Sequence, residues 1–230
     1  MIPFIVDQTA PVTLVGGGEA SLEDLHEALK LAPFCVAADG GVSLVLEAGQ
    51  MPEAVIGDFD SAPPDLETRV DADRLHRVAE QDSTDFAKCL MRICAPLIVG
   101  VGFTGKRMDH QLAALNMLVV YAHKPCVLLG AEEVIFHAPP QINLDLAAGD
   151  IVSLFPMQPV RGVSQGLEWP IDGIAFAPGG RVGTSNRALG PVRLDMDGPG
   201  MLVMVPRRFI RQVSRQLQRS GPARWPAPSG

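Results

Sequence analysis

The sequence predicts an α/β region followed by an all-β region. The first is a three-layer α/β/α domain around a mostly parallel sheet; the second is an antiparallel β-sandwich or barrel. Three observations carry this. Up to about residue 138, short apolar runs alternate with helix-like segments, as in a parallel sheet covered on both faces. Beyond it, short alternating segments are broken by Gly and Pro, and helical periodicity is lost. The chain has 230 residues and is 47% hydrophobic, enough for one large or two modest cored domains. The boundaries are set at 1–138 for the α/β domain and 139–206 for the β domain. A basic tail, 207–230, holds a short helix and then disorder.

Taken in order, Pro11-Val12-Thr13-Leu14-Val15 is a strand that runs into Gly16-Gly17-Gly18. Ser21 caps a helix reaching about Leu31, with Glu23 and Asp24 in its first turn. Strand, glycine turn and helix start half-match a dinucleotide fingerprint, but Ser21 stands where the third small residue belongs. Phe34-Cys35-Val36-Ala37-Ala38 is the next strand, and it leaves through Asp39-Gly40-Gly41 into a helix from about Val42 to Gly49. The glycines permit close ligand approach, and Asp39 can take a ribose hydroxyl or a metal-bound water. A plain strand-to-helix turn would use the same residues.

A third buried strand, Ala54-Val55-Ile56, breaks at Gly57 and delivers Asp58 and Asp60. In extended backbone, side chains at i and i+2 point the same way. Two such carboxylates repel unless a cation lies between them. A hard divalent ion with phosphate beyond it suits them, and an Asp-rich turn is the bland alternative. Residues 74–78 alternate as a strand. Glu80-Gln81-Asp82-Ser83-Thr84-Asp85 then opens a helix with Phe86, Leu90 and Ile93 on one face and Lys88 a turn after Thr84. Gln81, Asp82, Thr84 and Asp85 are more polar groups than a helix cap requires.

The strand at 97–102 runs into Phe103-Thr104-Gly105-Lys106-Arg107-Met108-Asp109-His110. Gly100 to Lys106 fits the opening of a phosphate-binding loop, but Arg107 replaces the Ser or Thr that would hold magnesium. Lys106 and Arg107 still suit phosphate oxygens. His110 reads as a ligand, an acid–base group or a cap. A long helix to about Tyr121 follows, with Leu112, Leu115, Leu118 and Val119 for the core, and then the strand Cys126-Val127-Leu128-Leu129. In sheets of this kind ligands gather at the carboxyl ends of the strands.

Strands of the second domain are expected at 141–146, 150–155, 160–163, 181–184, 191–197 and 201–205, with an amphipathic helix from Arg207 to Gln218. Two patches there are polar or aromatic, Gly166-Leu167-Glu168-Trp169 and Gly183-Thr184-Ser185-Asn186. Trp169 can stack on a ring while Ser185 and Asn186 bond it; a packed Trp and a hairpin turn would look the same.

Net charge is −7, unevenly placed. Residues 206–230 hold six arginines and no acid, so residues 1–205 carry 13 basic and 26 acidic side chains. An acidic body argues against nucleic acid as a partner. Membrane insertion is not expected, because no apolar run approaches the roughly 18 residues that span a bilayer. The N-terminus lacks the basic start of a signal peptide. Cys35, Cys89, Cys94 and Cys126 sit in apolar segments with no Cys-x-x-Cys pair. They read as buried free thiols of a cytoplasmic protein.

The ordered set of motifs resembles the thiamine pyrophosphokinase family. It runs Ala38-Asp39-Gly40-Gly41, Gly57-Asp58-Phe59-Asp60-Ser61, Gln81-Asp82-Ser83-Thr84-Asp85-Phe86-x-Lys88, Gly105-x-Arg107-x-Asp109-His110, Gly166-Leu167-x-Trp169 and Thr184-Ser185-Asn186. The resemblance covers about residues 10 to 205. It implies transfer of the pyrophosphate of ATP to the hydroxyl of thiamine, giving thiamine diphosphate and AMP, with Mg2+. It also implies a homodimer whose active site is shared between subunits. By resemblance, Asp58, Asp60, Asp82 and Asp85 are catalytic, with Asp58, Asp60 and Asp82 on the metal. Asp39, Gly40, Thr84, Lys88, Thr104, Arg107 and Asp109 serve the nucleotide; Gln81, Trp169, Ser185 and Asn186 serve thiamine. Many members carry Asn after the Asp-Gly-Gly element, where this chain has Val42 and Ser43.

Two other classes fit parts of the pattern. A non-catalytic nucleotide-binding module uses the half-matched glycine loops and predicts ATP binding without thiamine binding. A magnesium phosphohydrolase explains the carboxylates but leaves Trp169 and Asn186 without a task.

Overall fold

The structure is a computed structural model and describes residues 3–80, 82–219 and 224–227. Two compact units divide at Met117/Leu118. In the first, β1 (Val6–Asp7) pairs in parallel with β6 (Ile93–Cys94). The main sheet is built from β2 (Val12–Val15), β3 (Phe34–Ala38), β4 (Ala54–Gly57), β5 (Leu75–Arg77) and β7 (Ile98–Val101). Its order is β7-β2-β3-β4-β5, and every pairing is parallel: Val12 lies opposite both Ile98 and Phe34, Val36 opposite Ala54, and Val55 opposite Leu75. Strands β2, β4 and β7 are buried along their whole length, which explains their unbroken apolar runs.

Helices α1 (Leu22–Leu29), α2 (Val42–Glu47) and α3 (Leu66–Arg69) send Leu25, Val42, Val45 and Leu66 into one cluster with Val15, Ala37 and Val55. Each such side chain, fully buried, contributes roughly 1.5–3 kcal/mol relative to exposure. Ser21 caps α1 as expected. Its hydroxyl accepts from the Asp24 N–H (3.2 Å), and Asp24 Oδ2 accepts the Ser21 N–H (2.7 Å). Helix α4 (Asp85–Arg92) buries Phe86, Leu90 and, unexpectedly, Lys88. Helix α5 (Met108–Val120) starts two residues before His110 and crosses the division between the units. Leu112, assigned to the core from periodicity, is 54% exposed; Ala114, Leu118 and Val119 are the buried positions.

The second unit is antiparallel. It contains β8 (Cys126–Leu129), β9 (Glu133–His137), β10 (Gln141–Leu144), β11 (Ile151–Pro156), β12 (Gly162–Leu167), β13 (Gly183–Met196) and β14 (Met201–Pro206). Their order is β10-β13-β11-β14-β9-β8, with β12 also on β13. The two segments expected at 181–184 and 191–197 are one 14-residue strand, β13. Its first half pairs with β11 (Ile151 opposite Arg187), and its second half with β10 and β12, both opposite Arg193. Gly190-Pro191 marks the exchange, where proline cannot donate to a ladder. The Gly183–Asn186 patch is therefore strand, not hairpin turn.

Helix α6 (Ile210–Arg219) packs Ile210, Val213 and Leu217 inward. Part of the tail expected to be disordered is in place: the Trp225 indole N–H donates to the Ala138 carbonyl (2.8 Å). A half-buried indole needs such an acceptor. All four cysteines are free, and Cys94 is only partly buried. Burial, with Glu53 nearby, pushes the Cys35 thiol up to about 12. Among the described residues, no helix is long and apolar enough to cross a membrane.

Candidate active site

Three carboxylates converge at the carboxyl ends of β3 and β4. Asp39, Asp58 and Asp60 each offer an oxygen within 4.8 Å of the other two. Asp39 leaves β3 in a left-handed conformation (φ 44°), uncommon for a non-glycine residue but one that aspartate adopts more readily than most. Gly57 makes room for it: a Cβ there would stand 2.8 Å from Asp39 Cβ. Asp39 is buried. Its Oδ2 accepts the Ser61 N–H (3.2 Å), and its Oδ1 has no hydrogen-bond partner. A buried orphan oxygen is costly unless something absent from a bare chain satisfies it.

The route from Asp58 to Asp60 differs from the extended backbone expected. Phe59 is left-handed (φ 70°), so the chain kinks between the two acids. The Asp60 N–H folds back on Asp58 Oδ1 (3.3 Å), the local turn that aspartate favours. The kink still presents both carboxylates to one point. Arg77 braces it by donating to the Asp58 carbonyl (2.8 Å) and standing over the Phe59 ring at 5.0 Å. Arg77 was not singled out from the sequence; only its place at the end of the strand next to β4 gives it this task.

Lys88 is the cation of the cluster. It is 2% exposed, and its Nζ donates to Asp58 Oδ2 (2.9 Å) and Asp85 Oδ1 (3.2 Å). Burial alone would lower its pKa, but the two carboxylates outweigh that and raise it. Asp39 moves up to about 6, first through burial, then through Asp85 and its other acidic neighbours. Two like charges within 4.8 Å of each other repel by at least roughly 3 kcal/mol at an effective dielectric of about 20. Three hard oxygens, an orphan atom and negative charge that Lys88 only partly balances fit a divalent cation such as Mg2+.

Other sequence-predicted residues fall as follows. Thr84 caps α4, its hydroxyl accepting the Ala87 N–H (3.3 Å). Asp82 is exposed and outside the three-carboxylate group; its N–H and that of Ser83 turn onto Glu80 Oε2. Gln81 lies outside the described residues. Arg107 and Asp109 pair with each other through two hydrogen bonds (3.1 and 2.6 Å), and both are exposed. That pairing holds the Asp109 carboxyl at about 2. The Thr104 carbonyl flanks Gly18.

A cavity of about 480 Å³ adjoins the cluster within the first unit. Gly16, Gly17 and Gly40, Thr84 and Asp85, the rings of Phe86 and Phe103, and Lys106, Arg107 and His110 all line it. Its size is that of a small-molecule site.

In the second unit, Asn186 is buried and clasps the Trp169 backbone: Nδ2 donates to the Trp169 carbonyl (2.7 Å) and Oδ1 accepts its N–H (3.2 Å). The Trp169 side chain remains largely exposed. Ser185 is left-handed (φ 61°), and its N–H donates to Ser153 Oγ (3.0 Å).

A parallel sheet with a glycine-walled cavity and clustered carboxylates at its strand ends defines an α/β protein of the phosphate-handling class. Comparison narrows the class. Residues 25–129 match the model of the thiamin pyrophosphokinase catalytic domain, and residues 140–199 that of the thiamin pyrophosphokinase vitamin B1 binding domain. The chain belongs to the thiamine pyrophosphokinase family. It is 27% identical over 154 residues to thiamine pyrophosphokinase 1 of Oryza sativa subsp. japonica. That match takes in 59% of this chain and spans 58% of the rice relative's length. Its fold is similar to that of thiamin pyrophosphokinase from Geobacillus thermodenitrificans, with TM-score 0.69, 24% identity, and 85% and 96% of the two chains covered. It is also similar to the Candida albicans enzyme, with TM-score 0.73, 17% identity, and 86% and 89% covered.

Proposed function

We propose that this protein transfers the pyrophosphate of ATP to the hydroxyl of thiamine, giving thiamine diphosphate and AMP. The observation that carries the reading is the meeting of Asp39, Asp58 and Asp60 beside a glycine-lined cavity, in a chain of this family. In the step proposed, the thiamine oxygen attacks the β-phosphorus, the bond from that phosphorus to the α-phosphate oxygen breaks, and AMP leaves. The hydroxyl proton passes to a carboxylate, with Asp82 and Asp85 as candidates. Such transfer needs positioning and charge neutralisation more than covalent help.

Asp39, Asp58 and Asp60 would hold Mg2+, which supplies neutralisation of the phosphates when bound. This gives Asp39 the metal itself rather than the ribose hydroxyl or metal-bound water expected of it, and takes Asp82, which lies outside the three-carboxylate group, off the metal. Gly40, Thr84, Thr104, Arg107 and Asp109 serve the nucleotide, with Lys106 beside them. Arg107 must exchange Asp109 for phosphate oxygens, a bidentate acceptor of the same geometry. Lys88, expected on the nucleotide side, orients Asp58 and Asp85 through its two hydrogen bonds and balances part of their charge.

Trp169, Ser185 and Asn186, with Gln81, serve thiamine, whose cationic aromatic rings suit an exposed indole. The catalytic domain is assigned to 1–138 as a three-layer α/β/α domain, the thiamine-binding β-sandwich or barrel to 139–206, and the tail to 207–230. The working form is a cytoplasmic homodimer with the site shared between subunits.

Incubation with ATP, Mg2+ and thiamine tests the reading. AMP should form only when thiamine is present, and Asp58→Asn should abolish it with the fold intact. Release of ADP, or AMP without thiamine, would overturn it.

A further inference from the structure

Two phenyl rings line the cavity of the first unit along with its charged groups. We infer that Phe103, backed by Phe86, is the platform on which the planar base of the nucleotide stacks. This rests on the nucleotide reading above and names a residue that decides which nucleotide is taken.

The two phenylalanines are the only phenyl rings among the residues lining the cavity. Their centroids are 4.4 Å apart and their planes tilted by 44°. Phe86 is 3% exposed and comes from α4, so it is fixed by the core. Phe103 is only half-buried and lines the cavity beyond β7. It is held from the other side as well: a Cβ on Gly16 would stand 2.6 Å from Phe103 Cε1. The first glycine of the triple-glycine turn is therefore needed for the ring to lie where it does. Packed against Phe86 and against Gly16 along its Cε1–Cδ1 edge, the ring is a supported aromatic wall of the cavity, which is what stacking requires.

The chemistry of the remaining lining divides the ligand. Lys106 and Arg107 are cationic and suit phosphate oxygens, while Asp39 suits the metal. A neutral flat base has no use for them and is matched by the phenyl face. Phenylalanine offers stacking without hydrogen-bond readout, so the platform sets affinity for a large base over a small one. Purines, with the larger stacking area, should be preferred to pyrimidines.

Calorimetric titration of the full-length protein with Mg2+ and either AMP, CMP or inorganic triphosphate tests this. Phe103→Leu keeps an apolar side chain but removes the ring. It should weaken AMP binding about tenfold and leave triphosphate binding unchanged. Phe103→Trp should keep or tighten AMP binding. Wild type should bind AMP more tightly than CMP, and Phe103→Leu should narrow that gap. A merely structural Phe103 would make both ligands weaken together, or Leu outperform Trp; either result overturns the inference. Nucleotide binding by wild type with AMP untouched by both substitutions overturns it alone. No nucleotide binding by wild type overturns it together with the proposed function.

Discussion

Lys88 Nζ lies 2.9 Å from Asp58 Oδ2 and 3.2 Å from Asp85 Oδ1, with 2% of the lysine exposed. A buried ammonium thus ties a loop carboxylate from β4 to the first turn of α4. Its removal leaves two partly solvated acids beside Asp39 and Asp60. Lys88→Met should lower unfolding free energy at pH 7 by about 2–3 kcal/mol, less than the 3–5 typical of a fully buried pair, because Asp85 is partly exposed. Chemical denaturation measures it. Because the carboxylates raise the Lys88 pKa, the loss should be present through neutral pH and fade only as pH rises beyond the ordinary lysine value of 10.5.

Asp39 bears the opposite sign. Its carboxyl titrates near 6 in the fold against an ordinary value of 3.8. Between those values the folded chain holds the proton that the unfolded chain has lost, so stability falls as pH rises from about 4 to 6. Asp39→Asn removes that penalty. The variant should be more stable than wild type at pH 8, on the order of 1 kcal/mol, and equal to it near pH 4. Urea denaturation at the two pH values checks this. A site that is destabilising until filled is a common trade of stability for function.

His137 governs acid sensitivity in the second unit. It is 7% exposed, and its Nε2 accepts the Gly200 N–H (2.8 Å), which requires that nitrogen to be unprotonated. Burial lowers its pKa from 6.5 to about 4. The unfolded chain takes the proton first, so stability is full above about 6.5 and is lost as pH falls toward 4, by on the order of 3 kcal/mol. His137→Gln keeps an acceptor without the titration. Its thermal midpoint should change less between pH 7 and 5 than that of wild type.

Much of this was legible in the sequence where one residue type suffices. Apolar runs marked β2, β4 and β7 because both faces of that sheet are covered. Ser21 and Asp24 marked a helix start because a capping box is local chemistry. The site was harder. Asp58 and Asp60 were read as same-side on an extended chain, yet the kink at Phe59 brings them together instead. That Asp39 meets Asp58 and Asp60 follows only from β3 and β4 being neighbours. Lys88 read as a phosphate ligand; its burial under Asp58 depends on how α4 packs, which no spacing encodes. Leu112 kept helical period and still faces solvent. Arg77 and Phe103 have no motif of their own and gain their roles from contacts across the chain.

Titration of Mn2+ into the protein with a non-hydrolysable ATP analogue, read by electron paramagnetic resonance, tests most directly whether Asp39, Asp58 and Asp60 hold one divalent cation. Wild type should show a saturable site, and Asp39→Asn, Asp58→Asn and Asp60→Asn should each weaken it at least tenfold, while Asp82→Asn leaves it near wild type. Unchanged Mn2+ binding in Asp39→Asn and Asp58→Asn would contradict the account.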